Sequence, residues 1–540
     1  MSTEYLYKKE RMILKMKMKK IAIVLLSLTM LLTACTGNEK KTVSIDGIDL
    51  SKYPIETEIE LTYFKSLPAN ISSLFENFGD TDFSKEYDKR TGVKINYTHP
   101  AAGQENEKLN LMIASGKLPD IIEAGWAGYP GGAQKAILDQ IILPINDYKE
   151  YAPGLFKILE ENPQYDKGAK TDDGNYYGFP MINDGARLRL PTGPAVRMDL
   201  LRKYGLEVPE TVEDWEKMLT VFKENGMSAP FSFNYGNISV LFNMFGASFD
   251  PFVKNGEVVY GPAEPEFKKA LEILNDWFNK GILDNNIVSV DNALITSQIL
   301  NGQTGAALVS GGGGIGQLMA AAPNDEFDFA GVPYPSFKKG EINTTLPLMN
   351  PVSASGAAVI TTQCKYPELA IKVLDYAYTD EGRFFANFGV EGVAHTIVDG
   401  KPQYTDLIMK NPEGYTVSQA LGKYVKAGNG AAFVQDERYI EQYYSLPQQQ
   451  AALDGWLKGA ELMNESFQPV PPISVTPEEA SEYATYMAEI NKMRGQMIVK
   501  FITGIEPISK FDEYVETLKK FGMDKAMKIQ TDAYKRYMAR

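Results

Sequence analysis

The chain has 540 residues, 44% hydrophobic and 11% aromatic; so long a chain with so much apolar material folds into more than one lobe and is not disordered overall. Lys and Arg number 55 against 69 Asp and Glu, a net charge of -14, and this acidic balance excludes nucleic acid as a partner, because phosphate binding needs clustered basic residues. Cys35, Cys364, His99 and His395 are the full set of cysteines and histidines, and none has a partner at metal-ligand spacing, which argues against a zinc site or a histidine-based triad and leaves carboxylate chemistry open.

The amino end comes first. Lys8, Lys9, Arg11, Lys15, Lys17, Lys19 and Lys20 precede Ile21–Leu32, a run without charge. A basic lead and a short apolar run make a secretory signal. Its helix would span about 18 Å, short of the ~30 Å hydrocarbon core of a bilayer. Met12, Met16 and Met18 are alternative starts. The run closes in Leu32-Thr33-Ala34-Cys35, which resembles the lipobox of bacterial lipoproteins. That resemblance implies removal of residues 1–34, acylation of Cys35, and residence on the extracellular face of the cell membrane; more than one acyl chain makes such anchoring stable. The cut removes seven basic and two acidic residues and leaves 48 against 67, a net of -19. Residues 35–54 read as a flexible tether, and no later segment reaches the apolar length of a membrane span.

Ile55–Phe64 alternates in polarity and predicts a strand; Phe75–Thr91 predicts a helix and Val93–Thr98 a second strand. Lys108–Ser115 predicts a short helix closed by Gly116, and Pro119–Ile122 opens a third strand. This alternation is the order of a doubly wound α/β lobe. Thr171–Pro180 predicts a hairpin turning at Asp173-Gly174-Asn175. Met198–Tyr204 reads as a helix stopped by Gly205. Thr211-Val212-Glu213-Asp214 reads as a capping box opening a helix with Trp215, Met218, Leu219 and Phe222 on one face. Pro265 starts a helix, Pro367–Tyr378 is another, and Thr476–Phe501 and Ser509–Arg540 close the chain. Residues 400–480, rich in Gln, Gly, Pro and Tyr, carry no clear period.

Five stretches, in order, resemble the family 1 extracellular solute-binding proteins of carbohydrate ABC importers, in particular their large Gram-positive lipoprotein branch: Ala114–Ile122 (ASGKLPDII), Asp173–Pro180 (DGNYYGFP), Arg197–Trp215 (RMDLLRKYGLEVPETVEDW), Tyr366–Gly382, and Phe501–Tyr537. The resemblance implies an α/β fold of the two-lobed periplasmic-binding-protein type (type II), each lobe a doubly wound mixed sheet, with extra C-terminal helices. It places residues 55–182 plus 350–390 in the first lobe and 183–349 plus 391–540 in the second, with crossings near Pro180–Asp184, Pro335–Pro351 and Val390–Thr396. It further implies a monomer without cofactor or catalysis, whose partners are a carbohydrate, an oligosaccharide given the 30 Tyr and 26 Phe, and the permease subunits of an importer.

Sugars need aromatic platforms and paired polar groups. Trp126 and Tyr129 follow the third strand at the expected cleft edge. Tyr235 and Asn237 sit in the loop after Pro230; Asn183, Asp184 and Arg187 stand at the first crossing; Trp456 lies beside Gln448-Gln449-Gln450. These are the candidate contacts, with packing as the alternative for each. Arg187 and Arg189 are suited to pairing with uronates. Trp215 and Trp277 read as core. Ser310–Gly314 (SGGGG) lacks the Gly-Lys-Ser/Thr ending of a P-loop and reads as a close backbone approach to a ligand or the opposing lobe, or as a flexible connection. No calcium loop of EF-hand spacing appears and no metal ligand is singled out, while a calcium site built from backbone carbonyls stays open. Rival functions are a surface polysaccharide-degrading enzyme, a binding protein for peptide or another solute, and a receptor serving a membrane kinase.

Overall fold

A computed structural model describes residues 47–426, 430, 432–463 and 465–540. Cys35, the signal segment and most of the tether lie outside the described residues. Residues 47–540 form one compact unit built on two main sheets.

The first sheet has six strands in the order Phe433–Asp436, Phe179–Asp184, Val352–Ile360, Ile121–Ala124, Leu61–Phe64 and Ile95–Thr98. Leu61–Phe64 runs parallel to both of its neighbours. Val352–Ile360 is antiparallel to the strands on either side of it. The second sheet has the order Phe329–Gly331, Thr192–Arg197, Ala306–Ser310 and Phe231–Ser232. Its core joins the apolar faces of the helices around it. Trp215 and Trp277 are wholly buried there, each meeting Phe231 edge to face at 5.7 and 6.1 Å, and Phe242 stacks on Phe267 at 4.1 Å. Such pairs add directional preference to large buried area.

Local signals act where expected. Thr211 caps Val212–Glu224 in a capping box with Asp214, Gly205 ends Met198–Tyr204 in the left-handed conformation, and Gly116 ends Glu105–Ser115 the same way. Thr476 and Glu479 form a second capping box at the head of Pro477–Thr503. The closing helix divides into Phe511–Lys520 and Met523–Ala539 at Gly522, whose φ is 93°. The hairpin expected over 171–180 reduces to one bridge, Lys170 with Tyr176, and its outgoing strand belongs to the first sheet.

The chain leaves the first sheet at Asp184 and enters the second at Thr192, and it returns between Gly331 and Val352. A third passage lies after Asp436, not at Val390–Thr396. Phe433–Asp436 pairs in parallel with Met181–Asp184, so it belongs to the first sheet rather than to the second lobe. Before it, Phe388, Ala394, Tyr404, Ile408, Leu421 and Val425 pack into a cluster of their own, which holds residues 391–425 beside the first sheet. Only from Pro447–Trp456 does the chain pack on the second sheet, where a Cβ on Gly331 would meet Ala452.

Candidate functional site

The parallel strands Leu61–Phe64 and Ile121–Ala124 end side by side and deliver Phe64-Lys65-Ser66 and Ala124-Gly125 to one edge of the first sheet. Ligands of open α/β sheets bind at that carboxyl edge. A cavity of about 390 Å³ lies there, walled by Phe64 and Ser66, by Glu123 to Gly125, by Met181, by Ser353 and Gly356, and by Glu105, Asn106 and Leu109 from the first turns of Glu105–Ser115, with Gly430 at its margin.

Glu123 sits on an otherwise apolar strand end, and a carboxylate so placed needs partners. The Tyr63 hydroxyl donates to its Oε2 at 2.8 Å and Lys65 Nζ lies 3.6 Å from Oε1. Both charged side chains are buried, and Lys65 Nζ also stands 4.2 Å over the Phe78 ring. Burial, then the nearby Glu123 charge, pushes the Tyr63 hydroxyl well above its ordinary range. His99 positions this corner. Its Nε2 accepts from the Phe78 N–H at 3.1 Å, which makes Nδ1 the donor to the Lys65 carbonyl at 2.9 Å. A second lysine, Lys426, is buried beside the pair; burial first and the Lys65 charge second bring its ammonium down to about 7, with Glu123 opposing.

Trp126 does not offer an open face. It is 2% exposed, packed with Phe64, Ile122, Ile142 and Val359, and its indole N–H has no partner among the described residues. The loop that carries it is thereby pinned. Tyr129, three residues on, is half-buried and its hydroxyl donates to Asp139 at 2.9 Å. It lines a second cavity, of about 640 Å³, against Lys135, Ile473–Val475, Tyr483 and Gln530. The Gly125–Gly132 loop therefore borders both cavities.

Asn183 is buried at the end of its strand. Its N–H donates to the Pro351 carbonyl at 2.8 Å, and its Oδ1 has no donor among the described residues. It shares a strand face with Met181 of the first cavity by the two-residue period. Asp184 accepts from the Tyr165 hydroxyl at 3.0 Å and pairs with Arg383. Arg187 meets Glu437, Glu441 and Asp454 at 3.5, 3.4 and 3.5 Å, and Arg189 Nε donates to the Met349 carbonyl at 2.6 Å. Arg187 and Arg189 thus tie the passages between sheets to one another, while Asp184 is held by helices beside the first sheet.

Tyr235 and Asn237 lie in a single turn capped by Asn234, with Tyr235 against the core of the second sheet. Trp456 is a core residue, wholly buried with its indole N–H on the Pro194 carbonyl at 2.9 Å; a sugar platform would need an exposed face. The glycine run has a packing cause: side chains on Gly311 and Gly312 would run into the rings of Tyr444 and Tyr443. Cys364 is free and buried, and burial holds its thiol far above the reactive range. Among the described residues no group of three or more His, Cys, Asp or Glu is placed to hold a metal ion, and no helix is long and apolar enough to cross a membrane.

Lys65, Glu123, Tyr63, Glu105 and Lys426 were not among the expected site residues. The one local signal was the charge of Glu123 in Ile-Ile-Glu-Ala, where a buried strand has no use for it.

A family model described as bacterial extracellular solute-binding protein matches residues 72–384. The fructooligosaccharide ABC transporter substrate-binding protein FusA of Streptococcus pneumoniae is 25% identical over 485 residues, 84% of this chain and 86% of that protein. Lipoprotein LipO of Bacillus subtilis is 24% identical over 476 residues, 83% of this chain and 88% of its own length. Among solved structures, the alginate-binding protein AlgQ2 without calcium ion superposes with a TM-score of 0.74 at 23% identity, covering 90% of this chain and all of that one. FusA in complex with kestose superposes at 0.70 and 22%, covering 89% and 100%. These likenesses identify the two-lobed solute-binding fold.

Proposed function

We propose that this chain, which belongs to the bacterial extracellular solute-binding protein family, captures an oligosaccharide outside the cell and delivers it to an ABC importer in the membrane to which Cys35 anchors it. The observation that carries this reading is the cavity at the carboxyl edge of the parallel strands of the first sheet. Its wall combines apolar surface from Phe64, Leu109 and Met181 with Ser66, Asn106, Glu105 and Glu123. Sugars present apolar C–H faces and hydroxyl rims to such a mixture. Relatives named for fructooligosaccharide and for melibiose, raffinose and stachyose support a saccharide as the solute.

Closure of two lobes around the solute would bury it, and three passages form the hinge. Asn183, whose buried oxygen has no donor among the described residues, and Tyr129, on the wall of the second cavity, are proposed contacts; Tyr235 and Asn237 would approach from the second lobe. The chain binds without catalysis. The proposed site is the membrane's outer face, held by acyl chains on Cys35.

The test is a thermal-shift screen of the purified protein against neutral and acidic oligosaccharides and peptides, since a ligand that binds only the folded state raises the melting temperature. A saccharide is expected to shift it, and the same saccharide is expected to be recovered intact. Stabilisation by peptides without any by saccharides would overturn the reading, as would cleavage of a bound glycan.

A further inference from the structure

The first cavity carries a lopsided set of charges. Glu105 and Glu123 stand on its wall, and no Lys, Arg or His does among the described residues. The two lysines nearby do not line it. Lys65 has only 2% of its side chain exposed, paired with Glu123. A Cβ on Gly430 would run into Glu123 Oε1 and lie 2.8 Å from Lys65 Nζ, so the backbone packs over one side of this ion pair. Lys426 is buried as well. The neighbouring residues 427–429 and 431 are Ala, Gly, Asn and Ala, none of which bears a charge.

We infer that this cavity is specific for an uncharged, hydroxyl-bearing saccharide and rejects saccharides that carry carboxylates, with Glu123 and Glu105 as the residues that set the distinction. A carboxylate oxygen accepts hydrogen bonds and cannot donate them. Sugar hydroxyls supply donors to such an oxygen, and bonds to an ionised acceptor are the strong ones. A uronate has a carboxylate where the neutral sugar has a hydroxymethyl group, so it brings a third carboxylate to a wall that already holds two, of which Lys65 offsets only Glu123. Like charges at close range in a poorly hydrated cleft repel, and such opposition is how a site excludes a wrong partner.

The two residues divide the work by position. Glu123 is held at the cavity base by the Tyr63 hydroxyl at 2.8 Å and by Lys65 at 3.6 Å, which fixes where its oxygens point. Glu105 is on the first turn of its helix, with Oε1 accepting from the Gly103 N–H at 3.0 Å, and it supplies charge from the helix that walls the cavity. The arrangement sets this cavity against uronate recognition, although the alginate-binding protein AlgQ2 shares the fold. This inference rests on the reading of the cavity as the saccharide site.

The experiment is calorimetric titration of the purified full chain with neutral trisaccharides, kestose among them, and with trisaccharides of hexuronic acid, repeated on Glu105→Lys and Glu123→Gln. The wild type is expected to bind a neutral trisaccharide at least tenfold more tightly than any uronate. Glu123→Gln is expected to lose at least tenfold on the neutral ligand. Glu105→Lys, a change on an accessible helical turn that the fold should tolerate, is expected to narrow the preference at least tenfold by admitting the uronate. Equal or tighter uronate binding by the wild type would overturn the inference, as would a Glu105→Lys protein that is folded by circular dichroism and keeps its full preference. Binding of peptides and of no saccharide would instead overturn the functional reading, so the two failures are distinct.

Discussion

Arg540→Ala is expected to loosen the join between the two lobes. The Met523–Ala539 helix packs in the core of the second sheet through Met523, Ala526 and Met527. The side chain of Arg540, just beyond it, is buried against the first lobe with 2% of its surface exposed. Its Nε and Nη2 donate to Asp172 Oδ1 at 2.9 and 2.6 Å, and its Nη1 donates to the carbonyls of Lys167 and Lys170 at 2.8 and 2.5 Å. Arg536 Nε holds Asp172 Oδ2 at 2.8 Å, so the carboxylate keeps one cation after the substitution. Breaking a buried ion pair costs about 3–5 kcal/mol and a hydrogen bond to a charged group about 1.5–3 kcal/mol. With Arg536 still in place the lower end applies, about 3 kcal/mol. Arg536→Ala removes a partner that is more exposed and is expected to cost about 1 kcal/mol. The assay is urea unfolding of wild type, Arg540→Ala, Asp172→Ala and the double variant, which yields the coupling between the two side chains. Hydrogen exchange over residues 167–176 supplies a local readout. A coupling of about 2 kcal/mol is expected from these partner counts. A value below about 0.5 kcal/mol, with exchange unchanged, would refute the reasoning.

Gly193 runs against the indole of Trp456, where an added Cβ would sit 2.6 Å from ring atoms; Gly193→Ala is expected to cost about 3 kcal/mol by overpacking and to redden Trp456 fluorescence, and an unchanged melting temperature would count against it. Lys426 has a folded-state value near 7, below that of the unfolded chain. Its burial therefore destabilises fully below pH 7, and the cost shrinks as pH rises toward the ordinary lysine value, because the unfolded state then holds the extra proton. Lys426→Met is expected to stabilise the protein more at pH 6 than at pH 9, and a gain that grows with pH would contradict this sign. Cys35→Ser is expected to abolish incorporation of labelled fatty acid and release the protein from the membrane fraction; retention of both would place the anchor elsewhere.

Much of the local structure was legible in the sequence. Caps and stops depend on residues within one turn of each other: Thr211 with Asp214, Gly205 after Tyr204, and Gly116 after Ser115 act the same in almost any surroundings. The burial of Trp215 and Trp277 followed from their place on apolar helix faces. The family motifs, read in order, located the two-lobed fold.

The tertiary structure alone decided what depends on pairing between distant segments. Phe433–Asp436 joins the first sheet because Asp184 and its strand offered an unpaired edge more than 200 residues earlier in the chain, and nothing within the strand itself records that partner. Trp126, at the expected cleft edge, and Trp456, beside three glutamines, were candidate contacts with packing as the alternative, and each fills a core to which distant segments contribute. Glu123 and Lys65 gained meaning only when parallel strands set them side by side. Helix ends and turns are decided by short-range contacts, and sheet order, buried charge and cavity walls by long-range ones. The sequence by itself determined the type of fold and the elements that build it, while the tertiary packing decided which charges line the cavity.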